Sequence, residues 1–185
     1  MVILKRNMKK TINYFVILVL IVLLYSCKDE ELRMQRIPYT GSELRTDGYY
    51  YHQTDKYICD IIFLYRNGII IRAFWHWDIN NPIEDFEQDI IKRYNELHKS
   101  QHEWGVFQVK DDKIEYEMFT GPGLVFCGMA VYRSLGYIEN DTVFSIKQIL
   151  QTHSCGASPI FSTPDNKYYF RSFSQKPDST NSWIK

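Results

Sequence analysis

The sequence predicts a mainly β fold: an antiparallel, up-and-down, barrel-like meander of about eight strands with one packed amphipathic helix. Aromatic and β-branched residues, which favour strands, dominate the chain from Asp47 onward. Short apolar runs alternate there with turn residues, so neighbouring strands are expected to pair as hairpins. One stretch instead repeats its apolar residues with helical spacing. Consecutive hairpins close most simply into a barrel without exposed edges. A curved sheet or a sandwich with a packed helix is the alternative.

The first 26 residues have the pattern of a signal peptide. Four basic residues precede an apolar run over residues 14–24. These 26 residues contain no acidic residue. As a helix, this run of eleven residues would reach about 16 Å, roughly half of the ~30 Å hydrocarbon core of a bilayer. The run is too short to span a membrane, so we predict that residues 1–26 direct export and are removed.

The end of this segment, Leu24-Tyr25-Ser26-Cys27, carries a resemblance to a known class of proteins. It resembles the lipobox of bacterial lipoproteins, in which an aliphatic residue and a small residue precede the modified cysteine. The resemblance implies that Cys27 is the lipidation site and receives a diacylglycerol on its thiol. Residues 27–46 would then be the acylated cysteine and a flexible tether, followed by a single β-rich globular domain over residues 47–185.

Residues 28–31, Lys-Asp-Glu-Glu, follow the cysteine directly. They resemble the acidic export signal of surface-exposed lipoproteins of Bacteroidota. This resemblance implies an outer-membrane protein that is lipid-anchored and exposed at the cell surface, with the periplasmic face as the alternative. The membrane is then one partner, and an outer-membrane protein is a candidate second partner.

The charge of the predicted mature chain argues against a nucleic-acid partner. Of 22 Lys and Arg residues, four precede Cys27 and 18 follow it, whereas all 22 Asp and Glu residues follow it. The mature part therefore carries a net charge near −4. Binding to nucleic acid needs a basic surface, which this composition does not supply.

The first elements of the domain are three strands, at residues 48–52, 58–65 and 69–75. The last two flank Arg66-Asn67-Gly68. Because Asn-Gly readily adopts positive φ values, we predict a hairpin with a type I′ turn at this position.

The next element is the helix, over residues 82–99. Ile83, Phe86 and Ile90 begin an apolar stripe with helical spacing. Asn81 is suited to cap this helix, and Pro82 is suited to its first position. The helix is therefore expected to bury one face against the strands.

Five further strands complete the count of eight. Their predicted ranges are residues 104–109, 114–119, 129–138, 142–150 and 168–173, with a loop at 152–166. In the strand at 114–119, Ile114, Tyr116 and Met118 alternate with Glu115 and Glu117. We expect the glutamates to lie on a solvated face.

The segment from Trp104 to Ile114 reads Trp-Gly-x-Phe-x-Val-x-Asp-Asp-x-Ile. It resembles strand pairs of calycin or lipocalin-like domains of bacterial lipoproteins. The usual Gly-x-Trp signature of lipocalins is absent, and Gly48-Tyr49-Tyr50 is its nearest counterpart. The resemblance implies a calycin-like barrel, and folds of this kind usually bind small ligands at the barrel mouth.

The densest aromatic cluster supplies the candidate binding residues. Trp75, His76 and Trp77 follow one another at the end of a strand, and Trp104 begins the next strand. Exposed Trp side chains form platforms for sugar rings or cations. The alternative interpretation places the same rings in the core, since barrel walls are rich in aromatic residues.

Other chemistry-bearing residues give weaker patterns. His98 and His102 have the i,i+4 spacing of metal-binding histidines, but no glutamate of an H-E-x-x-H motif lies between them. His153 and Cys155 are too close in sequence for a typical nucleophile and base. We therefore predict no metal site and no catalytic residue. Three cysteines follow Cys27, and either a disulfide or buried thiols would fit them: Cys59, Cys127 and Cys155.

These patterns predict a membrane-anchored lipoprotein with a non-catalytic domain that binds a small apolar ligand or a glycan. No cofactor is expected. The alternatives are a hydrolase-type enzyme with a site that the sequence does not reveal, and an accessory subunit of an outer-membrane surface complex.

Overall fold

The computed structural model describes residues 31–76, 80–97, 101–121, 129–151 and 160–185. The predicted signal peptide, the lipobox and Cys27 lie outside the described residues, so those predictions remain untested. Within the described residues, no helix is long and apolar enough to cross a membrane.

The described residues form nine strands and one α-helix. The strands are β1 (Gly48–Gln53), β2 (Ile58–Leu64), β3 (Ile69–His76), β4 (Trp104–Lys110), β5 (Lys113–Thr120), β6 (Ala130–Asn140), β7 (Val143–Gln151), β8 (Ile160–Ser162) and β9 (Asn166–Ser172). The helix α1 (Ile83–Leu97) lies between β3 and β4, and a 3-10 turn (Gln101–Glu103) precedes β4. All eight predicted strands and the predicted helix are present in these described residues.

The strands form a closed antiparallel barrel. Each strand from β1 to β7 pairs with the next, β7 also pairs with β9, and β9 pairs with β1. Eight strands therefore close the ring, which confirms the predicted up-and-down barrel with one helix and excludes the open sheet and the sandwich.

The predicted loop at residues 152–166 contains one strand that the sequence reasoning missed. Ile149 pairs with Ser162 of β8, and Ile146, three residues earlier, pairs with Asn166 of β9. β8 and β9 thus follow each other along the same edge of β7. Together they take the place of one interrupted strand along that edge.

Alternation along the strands separates two hydrophobic clusters. One cluster receives a side chain from every one of the eight barrel strands, so it fills the lumen: Tyr50, Ile62, Ile70, Phe107, Tyr116, Tyr132, Phe144 and Tyr168 are among its members. The other cluster takes the alternate positions and lies on the outer wall: Tyr49, Ile61, Phe63, Ile71, Trp104, Val106, Phe119 and Val131 are among its members. Both faces of much of the sheet are therefore buried.

Helix α1 covers part of the outer wall. Phe86 and Ile90 are 3% and 1% exposed and belong to the outer cluster, as the predicted apolar stripe requires. Tyr49 meets Phe86 edge to face, with 6.3 Å between the ring centroids. Glu87 of the helix accepts a hydrogen bond from Arg171 Nε at 2.7 Å, which ties α1 to β9.

The turn between β2 and β3 differs from the predicted type. Gly68 has φ of +82°, whereas Asn67 is not among the described residues with positive φ. The Gly68 amide donates to the Tyr65 carbonyl at 2.9 Å. The type I′ prediction is therefore wrong, because that turn needs two positive φ values. A three-residue connection with glycine in the left-handed position joins the strands instead.

The predicted solvated face of β5 is also corrected by the structure. Glu117 is only 2% exposed, although Glu115 beside it is partly open to solvent. The backbone amides of Arg33 and Met34 donate to Glu117 Oε2 at 2.6 and 2.7 Å. The prediction failed for Glu117 because a segment 83 residues away in sequence covers this carboxylate.

Residues 31–47, assigned by the sequence to the tether and the start of the domain, have no helix or strand. They run down the outside of β4 and β5 and then enter one end of the barrel. Tyr39 and Leu44 are 7% and 1% exposed and belong to the lumen cluster. We call residues 39–44 the plug, and the end that they fill the plugged end.

Candidate functional site

The opposite end of the barrel holds a pocket. There β3, β5 and β7 end and β4, β6 and β8 begin. The pocket has a volume of about 540 Å³. Its described lining consists of Arg72, His102, Glu103, Thr120, Tyr132, Ile149, Gln151 and Ser162. Among the described residues the lumen communicates with the surface through this pocket, so we call this the open end.

An ion pair forms the floor of the pocket. Arg72 Nε donates to Asp60 Oδ1 at 2.7 Å, and Arg72 Nη2 donates to Asp60 Oδ2 at 2.6 Å. The side chain of Asp60 is 1% exposed and that of Arg72 is 15% exposed. This two-point geometry is the strongest form of an arginine–carboxylate contact. The guanidinium therefore faces the pocket, and the Asp60 carboxylate beneath it balances its charge.

Tyrosine hydroxyls complete the floor. Arg72 Nη1 donates to Tyr132 Oη at 2.8 Å, and Tyr168 Oη donates to Asp60 Oδ2 at 2.5 Å. Burial opposes a charge on Arg72, but the facing oxygens of Tyr132 and Asp60 outweigh it and raise its pKa well above the usual value. Burial, followed by the charges of nearby groups, raises the pKa of Tyr168. Arg72 therefore stays charged and Tyr168 stays protonated at physiological pH.

The rim of the pocket comes from strand ends and from the 3-10 turn before β4. His102 and Glu103 lie next to each other there, with 3.6 Å between His102 Nε2 and Glu103 Oε1. Gln151 at the end of β7 pairs with Tyr132 of β6, so its position is set by the barrel ladder. Ser162 is held in the same way by its pairing with Ile149.

The lining therefore offers hydroxyl, amide, carboxylate and guanidinium groups together with an apolar surface of similar extent. Such a set can make many directed hydrogen bonds to a ligand. In the described residues no three His, Cys, Asp or Glu side chains are placed to hold a metal ion.

Comparison of this chain with protein-family models, curated proteins and solved structures finds no match.

The structure places the sequence-predicted binding residues in different settings. Trp75 and His76 lie near the end of β3 at the open end, where the structure describes their backbone. Trp77 lies outside the described residues. Trp104 is 0% exposed and packs in the outer-wall cluster. A ligand-binding role for these four residues remains a prediction.

The remaining candidates are also separated. His102 reaches the pocket rim, whereas His98 lies outside the described residues, so the two cannot be compared. Cys59 is a free, fully buried thiol, and burial raises its pKa to about 12. A thiol in that state is a poor nucleophile, which fits a structural role for Cys59. Three predicted cysteine or histidine positions lie outside the described residues: Cys127, His153 and Cys155.

Sequence reasoning missed the two residues that form the floor of the pocket. Asp60 and Arg72 each interrupt an apolar strand, in the segments ICDIIFL and IIIRAFWH. The register pairs Ile62 with Arg72, so Asp60 and Arg72 are diagonal neighbours on one face of the hairpin. The available signal was a charged residue at an inward-facing position in each of the two strands of one predicted hairpin.

Proposed function

We propose that this protein is a lipid-anchored, non-catalytic binding protein of the outer membrane, acylated at Cys27 and exposed at the cell surface. It takes a small ligand at the open end of its barrel. The observation that carries the binding part is the 540 Å³ pocket above a buried, hydrogen-bonded ion pair. Its volume falls in the range of about 300–1,000 Å³ that is typical of small-molecule sites.

The contrast between the two barrel ends supports this proposal. One end is filled by Tyr39 and Leu44, and the other retains a pocket whose polar groups point towards the same space. A ligand in this pocket can form hydrogen bonds with the polar side chains that line it.

The path of the N-terminal segment supports the anchoring part. Arg33 and Met34 are fixed on β5 by Glu117, and the chain runs from there towards the plugged end. Leu32, which packs on the outer wall, is only five positions after Cys27. An extended chain of that length reaches at most about 18 Å. The acylated cysteine would therefore hold the barrel close to the membrane surface.

The binding part is tested by blocking the pocket. Ile149→Trp places a large ring among the lining residues, whereas Leu150→Trp, its neighbour, changes a side chain that is 40% exposed elsewhere on the surface. Both variants are compared with the wild type for retention of small molecules from a bacterial surface extract, identified by mass spectrometry. Retention by wild type and Leu150→Trp, but not by Ile149→Trp, is the expected result. Equal retention by all three proteins, or turnover of the retained molecule, contradicts the proposal.

The anchoring part is tested by metabolic labelling with a fatty-acid analogue. Wild type is expected to be labelled and Cys27→Ala is not, while Cys59→Ala keeps the label. Protease treatment of intact cells then distinguishes the two membrane faces. Cleavage of the domain on intact cells indicates the cell surface, and protection until the cells are opened indicates the periplasmic face, which contradicts surface exposure.

A further inference from the structure

We infer that the pocket at the open end binds a neutral carbohydrate of one or two sugar rings. This inference rests on the proposed binding function and specifies its ligand class. Three features of the described residues carry it: the charge balance of the floor, the chemistry of the rim and the size of the pocket.

The charge balance disfavours an anionic ligand. Arg72 is the only basic side chain among the described lining residues apart from His102, and Asp60 neutralises it through two hydrogen bonds. At the rim, Glu103 faces His102, with 3.6 Å between Glu103 Oε1 and His102 Nε2. The described lining therefore offers an anion no excess positive charge, and burying an unbalanced charge costs several kcal/mol. A neutral ligand avoids this cost.

The rim chemistry disfavours an apolar ligand. Thr120, Gln151 and Ser162 contribute hydroxyl and amide groups, which both donate and accept hydrogen bonds. An acyl chain in this pocket would remove these groups from water without giving them partners, which is unfavourable. Sugar hydroxyls also donate and accept, so they match the rim group by group.

The apolar part of the lining fits a sugar as well. Ile149 and the ring of Tyr132 lie in the same pocket as the polar rim. Sugar rings have C–H faces that pack on such surfaces while their hydroxyls meet polar groups. With a volume of about 540 Å³, the pocket suits a small saccharide rather than a long polymer enclosed along its length.

The plugged end supplies a matched control. A second, shallower cavity of about 410 Å³ lies there beside the plug, and it is also lined by a glutamate and a glutamine, Glu43 and Gln108. In that cavity Glu43 accepts a hydrogen bond from Tyr39 Oη at 3.0 Å, and Gln108 donates to the Gln35 carbonyl at 2.9 Å. The two pairs of residues thus allow the same substitutions at both ends of one barrel.

The experiment is saturation-transfer difference NMR on the domain with a defined panel of probes. The neutral probes are glucose, galactose, mannose, N-acetylglucosamine, maltose and lactose. The anionic probes are glucuronate and galacturonate, and the apolar probe is laurate. We expect transfer to at least one neutral sugar, with weaker or no transfer to its uronate counterpart and none to laurate.

The variants locate the binding. Gln151→Leu and Glu103→Gln are expected to weaken binding of the sugar that shows transfer by at least tenfold. Gln108→Leu and Glu43→Gln are expected to leave it within twofold of wild type. Far-ultraviolet circular dichroism of each variant shows whether the barrel is retained.

The outcomes separate this inference from the proposed function. Transfer to laurate alone, or tighter binding of a uronate than of its neutral sugar, overturns the neutral-carbohydrate inference but leaves a binding protein. Equal loss in the variants of both ends, or no transfer to any neutral sugar at millimolar concentration, also overturns it. Blocking by Ile149→Trp tests the proposed function independently.

Discussion

The two ends of the barrel differ in the side chains that occupy the lumen. At the plugged end, Tyr39 and Leu44 enter the lumen and make an apolar seal. The Leu44 amide donates to Tyr39 Oη at 2.7 Å, so the backbone of the plug is satisfied by its own side chain. At the open end, Asp60 and Arg72 occupy the lumen and leave a pocket above them.

This difference separates an end that stabilises the fold from an end that we propose for ligand recognition. An apolar seal stabilises a fold with no need for further partners. A buried ion pair is often no better for stability than an apolar replacement of the same size, because removing two charges from water is costly. We therefore propose that the ion pair is retained for its role at the pocket.

The largest effect is expected from breaking the ion pair on one side. Asp60→Asn leaves the Arg72 guanidinium buried without its counter-charge, which we expect to lower the free energy of unfolding by about 3–5 kcal/mol. The double replacement Asp60→Leu with Arg72→Met is expected to recover most of that loss. Urea unfolding of the wild type, Asp60→Asn and the double variant measures these changes in the free energy of unfolding. The exposed pair of Lys147 and Asp165 serves as the control, and Asp165→Asn is expected to cost less than about 1 kcal/mol.

A double variant as unstable as Asp60→Asn would contradict the comparison. In that case the ion pair would be an essential part of the fold rather than a feature retained for the pocket.

The next effect concerns the seal. Leu44→Ala removes a side chain that is 1% exposed and leaves a cavity in the plugged end. We expect a loss of about 2–4 kcal/mol in the free energy of unfolding. Leu150→Ala, at a site that is 40% exposed, is the matched control and should cost well under half as much. Similar costs for both leucines would mean that residues 39–44 do not seal the barrel in solution.

A smaller effect is expected at the attachment of the N-terminal segment. Glu117→Gln removes the charge that strengthens two hydrogen bonds from the backbone amides of Arg33 and Met34. We expect a loss of about 1.5–3 kcal/mol, together with faster proteolysis around these residues. Glu115→Gln changes only a partly exposed pair with Arg133 and should have little effect on either measurement. Unchanged proteolysis in Glu117→Gln would show that other contacts hold the segment.

The smallest effect is a dependence on pH at the plugged end. Lys176 donates to the carbonyls of Thr46 and Leu64, both at 2.7 Å, and lies over the ring of Tyr65. Burial lowers the pKa of Lys176 to about 8, against 10.5 for an ordinary lysine. Between these values the unfolded chain binds more protons than the folded one. Stability should therefore rise from pH 8 towards pH 10, by at most about 1.4 kcal/mol per pH unit.

Denaturant unfolding at pH 7, 8 and 9.5 measures this dependence, with Lys176→Met as the comparison. The variant should lack the rise, because it has no group to deprotonate at that site. If wild type and variant change in parallel over this range, Lys176 is not the source.

The strands and the helix could be predicted because their signals are local. The turn residues around Gly68 identify the β2–β3 hairpin, and alternation identifies β5, without knowledge of the rest of the chain. The turn type could not be predicted from Asn67-Gly68, since that pair also occurs where glycine alone takes the positive φ. The site residues were harder to predict, because a charged residue at an inward-facing position indicates a site only when the strands enclose a lumen.

The eight barrel strands, the helix and their order follow from local sequence patterns, because hairpins and helices depend on neighbours a few residues away. The tertiary structure alone decided which face became the lumen, which end was sealed and which carboxylates were buried. Tyr168 reaches Asp60 across 108 residues, and Met34 reaches Glu117 across 83. The first contact follows from closing the sheet into a ring, and the second follows from packing of the N-terminal segment on the outer wall; no local pattern relates either pair of positions.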